Sequence, residues 1–163
     1  MVLASCEPDC REGTRKVVQL ERKLKFLEVT MSKANNTSAV KQQYATANNL
    51  NTRISIHNKY STNKLGFGNW IFSNYRIGKG AKVLELGCGT GDMWKNRESL
   101  ICACSKIVLS DFSEGMVAAA KDNIGSYDNI EYKVLDIQEI PYEDAAFDVV
   151  IANMMLYHVP DID

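Results

Sequence analysis

An α/β fold built on a Rossmann-like parallel sheet, preceded by a helical N-terminal segment, is predicted by three features. Short apolar runs end in glycine or an acid: Lys82–Leu86 runs into Gly87, Lys106–Ser110 into Asp111, and Ile130–Leu135 into Asp136. Segments long enough for a crossover separate them, as parallel pairing requires. Between the first run and its crossover lies VLELGCGTGD, Val83–Asp92, whose glycines alternate where an open sheet holds its ligand.

Taken in order, residues 1–36 read as an extension. Val17, Leu20, Leu24 and Leu27 lie at helical spacing, and a polar stretch follows from Met31. Met31 is the favoured natural first residue. Residues 37–80 read as a helical cover. Thr37 or Ser38 caps a helix with Val40, Tyr44 and Ala47 on one face; Asn48–Ser61 is a short helix or turn; and Leu65–Tyr75 carries Phe67, Trp70, Ile71, Phe72 and Tyr75 at helical spacing. Residues 81–163 form the binding domain. There a helix is expected from Asp92 to about Cys102, and another over Ser113–Ile124, capped by Ser113 with Met116, Val117 and Ala120 inward. The fourth strand is Phe147–Ala152.

Composition narrows the function. With 163 residues, 45% hydrophobic and 24% charged, the chain suits one ordinary globular domain. A formal charge of -1 supplies no field toward nucleic acid or an anionic membrane. No apolar run approaches the roughly 18 residues of a membrane span, and Met1–Cys6 lacks the pattern of a signal peptide, so a cytoplasmic location is expected. Five cysteines without framework spacing read as free thiols. Cys6 and Cys10 find no second pair of ligands, so no metal site is expected.

The glycine spacing selects the ligand class. A dinucleotide loop reads G-x-G-x-x-G, whereas Gly87-Cys88-Gly89-Thr90-Gly91 is G-x-G-x-G. Asp92, at the expected helix start, would compete with a phosphate for the positive helix end. Asp111 lies about twenty residues on, where an acid takes a ribose diol. The deduced ligand is adenosine-like, lies against bare backbone and needs no phosphate.

The stretches VLELGCGTGDMW, LSDFSEGM and LDIQEIPYEDAAFDVVIANMMLYHVPD together resemble successive motifs of class I S-adenosylmethionine-dependent methyltransferases, in the type 11 (UbiE-like) group. The resemblance covers about half the chain, from Ala81 to Asp161. It implies S-adenosyl-L-methionine as cofactor and a small-molecule methyl acceptor. It also implies that Gly87, Cys88, Gly89 and Gly91 lie against the cofactor's amino-acid moiety, with Glu85 in support. Asp111 would hold both ribose hydroxyls, Phe112 would pack on adenine, and Asp136 and Ile137 would meet the adenine edge and face; Met116 is expected among the cofactor-binding residues. Asn153 and Met154 would stand beside the sulfonium, with Tyr44 closing over it. For each of several residues a plainer role stands alongside: Glu85 as a strand cap, Phe112 and Met116 as core, Asp136 as the start of a turn. His158 is either a base or a locally packed side chain, so the catalytic residues stay unassigned. Trp70 and Trp94 read as packing.

Members of that family continue past their fourth strand. Ending at Asp163, this chain is expected to be a fragment with weak or absent turnover, its sheet ordered 3-2-1-4 and Val149–Ile151 on an edge open to self-association. The rival readings are a non-catalytic fragment and an NAD-binding oxidoreductase domain, the latter disfavoured by the loop spacing.

Overall fold

The computed structural model describes residues 36–46 and 48–161. The expected helix over 15–29 and the position of Ala47 lie outside these. Among the described residues three helices come first: α1 (Thr37–Gln43), α2 (Asn48–Tyr60) and α3 (Phe67–Phe72). The sheet follows with β1 (Lys82–Leu86), α4 (Glu98–Ala103), β2 (Lys106–Asp111), α5 (Glu114–Ile124), β3 (Ile130–Val134) and β4 (Val149–Ala152). Single 3-10 turns occupy Ile137–Glu139 and Leu156–His158.

All strand pairs are parallel, as the sequence predicted, and the order is β3-β2-β1-β4, as the family resemblance implied. Register sets Glu85 between Leu109 of β2 and Ile151 of β4, so this carboxyl sits on the central strand. Side chains alternate across the sheet. Val83, Ile107, Leu109 and Ile151 join Trp94, Ile101 and Ala120 on the face covered by α4 and α5. Leu84, Leu86 and Val108 face the other way, onto Leu135, Ile137, Tyr142 and Phe147 from the loop before β4. On edge strand β4, Val150 remains 58% exposed.

Several local expectations change. The cap of α1 is Asn36, one residue before Thr37, because its side chain accepts from the Ala39 N–H at 3.0 Å and asparagine is at least as good a cap as threonine. Of the two readings of the segment from Asn48, the helix holds, over the 13 residues Asn48–Tyr60. The helix expected over Leu65–Tyr75 shrinks to Phe67–Phe72, and Trp70 is exposed rather than packed. No helix starts at Asp92. Residues 92–96 form turns, with Asn96 at φ 59°, while Trp94 sinks completely into the core; α4 begins only at Glu98. Burying the indole outweighs the weak helical pattern around it. In contrast, Ser113 caps α5 as expected, accepting from the Met116 N–H at 3.3 Å.

Candidate functional site

At the carboxyl ends of the strands lies a cavity of about 580 Å³, within the ~300–1,000 Å³ usual for small-molecule sites. Every strand contributes to its wall. Glu85 and the loop through Thr90 come from β1, Asp111 and Phe112 from β2, Leu135–Gln138 from beyond β3, and Asn153–Met155 from beyond β4. The helices supply the opposite wall, including Val40, Tyr44, Leu50, Ile54, His57, Phe67 and Ile71.

Of the residues singled out in the sequence, Glu85, Gly87, Cys88, Gly89, Asp111, Phe112, Asp136, Ile137, Asn153, Met154 and Tyr44 converge on this cavity. Gly91 and Met116 do not line it, a correction to their expected place. At φ +72°, Gly91 turns its missing side chain toward α5: a Cβ there would stand 2.6 Å from Ile124 Cδ1 and 3.1 Å from the Ala120 Cβ. Its task is to let the loop pack on α5. Met116, 1% exposed, is core, the plainer of its two readings.

Asp111 is locked by backbone. Its Oδ2 accepts from the Gly89 N–H and its Oδ1 from the Ser113 N–H, both at 2.9 Å. Each oxygen keeps a lone pair for a ligand diol. Burial raises its pKa above the ordinary aspartate value, while the N–H groups of Ser113, Gly89 and Phe112 pull it back. Asp136 both begins a turn and lines the cavity, accepting from the Gln138 N–H at 3.0 Å. Lys41 lies 4.7 Å from the Phe112 ring centroid, a cation over that aromatic face.

Glu85 is the most constrained group. It is 1% exposed and accepts from the Trp94 indole N–H at 2.5 Å and from the Asn153 amide. The same amide donates to the Tyr75 hydroxyl. The Glu85 carbonyl accepts from Ser110 Oγ at 2.8 Å, tying β1 to β2 at the site. Burial dominates, pushing its carboxyl from 4.5 to about 7 despite both donors. Burial likewise raises the Cys88 thiol well above its usual range, so it stays un-ionised and is no nucleophile.

The helical wall is pinned at two points. The Tyr44 hydroxyl pairs with His158 Nε2 at 2.9 Å, and the Tyr44 carbonyl accepts from Ser113 Oγ at 2.7 Å. His158 thus bonds across the fold, to a side chain 114 positions away, rather than to a local partner. Gly115 allows the close approach, since a Cβ there would overlap the Ala45 carbonyl oxygen. On the other side Arg97 donates to Asn69 Oδ1 at 2.7 Å and to the Met93 carbonyl at 2.8 Å, holding α3 against the turns after the glycine loop.

Sequence reasoning missed Trp94 and Tyr75 as partners of the site, and Leu50, Ile54, His57 and Phe67 as its wall. Nothing local marks them, because what recruits them is contact across the fold. Among the described residues no cluster of potential metal ligands occurs and no helix is long and apolar enough to cross a membrane.

Residues 83–163 match the family model described as a methyltransferase domain. Over 91 residues the chain is 32% identical to demethylmenaquinone methyltransferase of Staphylococcus aureus (strain MRSA252), covering 56% of this chain and 38% of that protein. The chain therefore spans well under half the length of the curated relatives it matches. Among solved structures, an S-adenosylmethionine-dependent methyltransferase from Mesorhizobium loti superposes with a TM-score of 0.50 at 26% identity, covering 59% of this chain and 44% of that one. The [4+2]-cyclase SpnF shares the fold at a TM-score of 0.52 and 18% identity, over 71% of this chain and 48% of its own. The parallel sheet, the glycine loop and the matched motifs agree: residues 83–163 belong to the methyltransferase-domain family, of the class I S-adenosylmethionine-dependent type.

Proposed function

We propose that this chain holds S-adenosylmethionine in the strand-end cavity and serves methyl transfer to an apolar small molecule. One observation carries the reading: four parallel strands bring Glu85, Asp111, Asp136 and Asn153 to a single cavity beside the glycine loop. The residues present fit the cofactor. Asp111 has an unused lone pair on each oxygen for a ribose diol, Asp136 and Ile137 stand one strand further on for adenine, and Glu85 offers negative charge to a cationic amino-acid end.

When bound, S-adenosylmethionine supplies a methyl group on a cationic sulfur, already activated for displacement. The protein's contribution is then alignment and exclusion of water. Asp111, fixed by two backbone N–H groups, sets the position along the sheet. The Tyr44–His158 and Tyr44–Ser113 bonds hold the helical wall over it. Leu50, Ile54, Phe67, Ile71, Met93 and Met154 give the remaining wall an apolar surface, which favours an apolar acceptor. The substrate named for the Staphylococcus relatives supports a quinone-like molecule as the first acceptor to try. Self-association of two copies along β4 is part of the same reading, supported by the exposed Val150.

Isothermal titration tests the cofactor assignment, with S-adenosylmethionine bound and NAD not; NAD binding with no S-adenosylmethionine heat would overturn it. Methyl release, measured on this chain and on a longer product carrying the remaining length of the relatives, tests turnover. Transfer is expected from the longer product, and its absence from both would defeat the enzymatic reading.

A further inference from the structure

The Glu85 carboxyl has two donors, and both are neutral: the Trp94 indole and the Asn153 amide. Among the described residues no lysine or arginine forms an ion pair with it; the ion pairs found join Glu131 to Lys106 and Lys133 at the far sheet edge. The titratable groups that do face it add negative charge or none. Asp111 faces it from the end of β2, Cys88 from the glycine loop, and Tyr75 from the segment after α3; His158 bears on Asp111. The side chain is 1% exposed, so water does little to stabilise a charge on it. An ionised carboxylate held in such a place is costly without a cation.

We propose that Glu85 carries a proton in the ligand-free protein and gives it up when the cofactor's cationic end enters, so that capture of S-adenosylmethionine releases that proton to solvent. The inference rests on the cofactor assignment above. The proton leaves the carboxyl oxygen for buffer, and the carboxylate left behind faces the ligand's positive charge while keeping both neutral donors. Its consequence is selectivity for charge. S-adenosylmethionine carries a sulfonium that S-adenosylhomocysteine lacks, so the methylated form draws the proton out more completely than the demethylated product does. Trp94 acts as a positioning residue, holding one carboxylate oxygen so that the group cannot turn away from the cavity.

Calorimetric titration of the full chain in two buffers of different ionisation enthalpy counts the protons. With the carboxyl titrating near 7, about 0.9 proton is expected to leave per cofactor bound at pH 6 and about 0.1 at pH 8. The affinity owed to Glu85 then rises about tenfold from pH 6 to pH 8. Glu85→Gln removes this component and leaves the ligand's own titration in place, so subtraction isolates it; S-adenosylhomocysteine should release less proton than S-adenosylmethionine. Infrared difference spectra of the parent provide a reading that needs no variant: a protonated-carboxyl band should vanish on adding cofactor at pH 6. Equal proton release by parent and Glu85→Gln, or no loss of that band while cofactor binds, overturns the inference. Failure of the parent to bind at all would instead strike the cofactor assignment itself.

Discussion

The charge state of Glu85 also predicts how the ligand-free protein responds to pH. A carboxyl moved from 4.5 in the unfolded chain to about 7 in the fold keeps its proton after the unfolded chain has lost it. The folded state therefore binds more protons between these values, and stability falls as pH rises through that window. At about 1.4 kcal/mol per tenfold, the full penalty is about 3 kcal/mol, most of which develops between pH 5 and pH 8. In Glu85→Gln this slope disappears. The glutamine carbonyl still accepts from the Trp94 indole, but its NH₂ meets the Asn153 donor, a fixed cost of about 1–2 kcal/mol. That cost is the same at both pH values and cancels in the difference. Urea unfolding of both proteins at pH 5 and pH 8, without cofactor, measures it. The parent should lose about 2–3 kcal/mol more than the variant between the two, or roughly 5–10 °C in Tm. Parallel pH profiles for the two proteins would refute the idea that Glu85 is buried without a counter-charge.

Four further outcomes follow from the site's geometry. Asp111→Asn breaks one of its two backbone bonds and removes the charge, so S-adenosylmethionine affinity by titration should fall about 10–100-fold, the loss of a charged hydrogen bond. Gly91→Ala should act on folding rather than on the ligand, because its Cβ strikes Ile124 and Ala120; urea unfolding should show a loss of at least 1–3 kcal/mol, roughly the cost of overpacking. Gly89→Ala, at φ +57° on the cavity wall, should weaken cofactor binding more than Gly91→Ala does among molecules that remain folded. Gly115→Ala should push the Ala45 segment off α5, seen as faster proteolysis within residues 36–46 and as weaker binding.

How far the sequence reached depends on the range of the forces involved. The four strands were legible to within a residue or two because each is a short apolar run, three of them ending in glycine or an acid and the fourth at Asn153, and such runs are local features of the chain. Ser113 announced the start of α5 for the same reason. The helix expected after the glycine loop failed because Trp94 follows the core rather than its neighbours' helical preference. Trp70 failed in the opposite direction, reading as packed while the fold leaves it 52% exposed.

Local chemistry in the chain thus determined the class of fold, the glycine loop and the acids at the strand ends, since backbone conformation and alternation act over a few residues. Tertiary contact alone decided which glycine serves packing and which the cavity. It paired Tyr44 with His158 across 114 positions of chain, and set Trp94 and Asn153, rather than a cation, beside Glu85. Burial and partnership are properties of the assembled fold, and the energy of a charge depends on both.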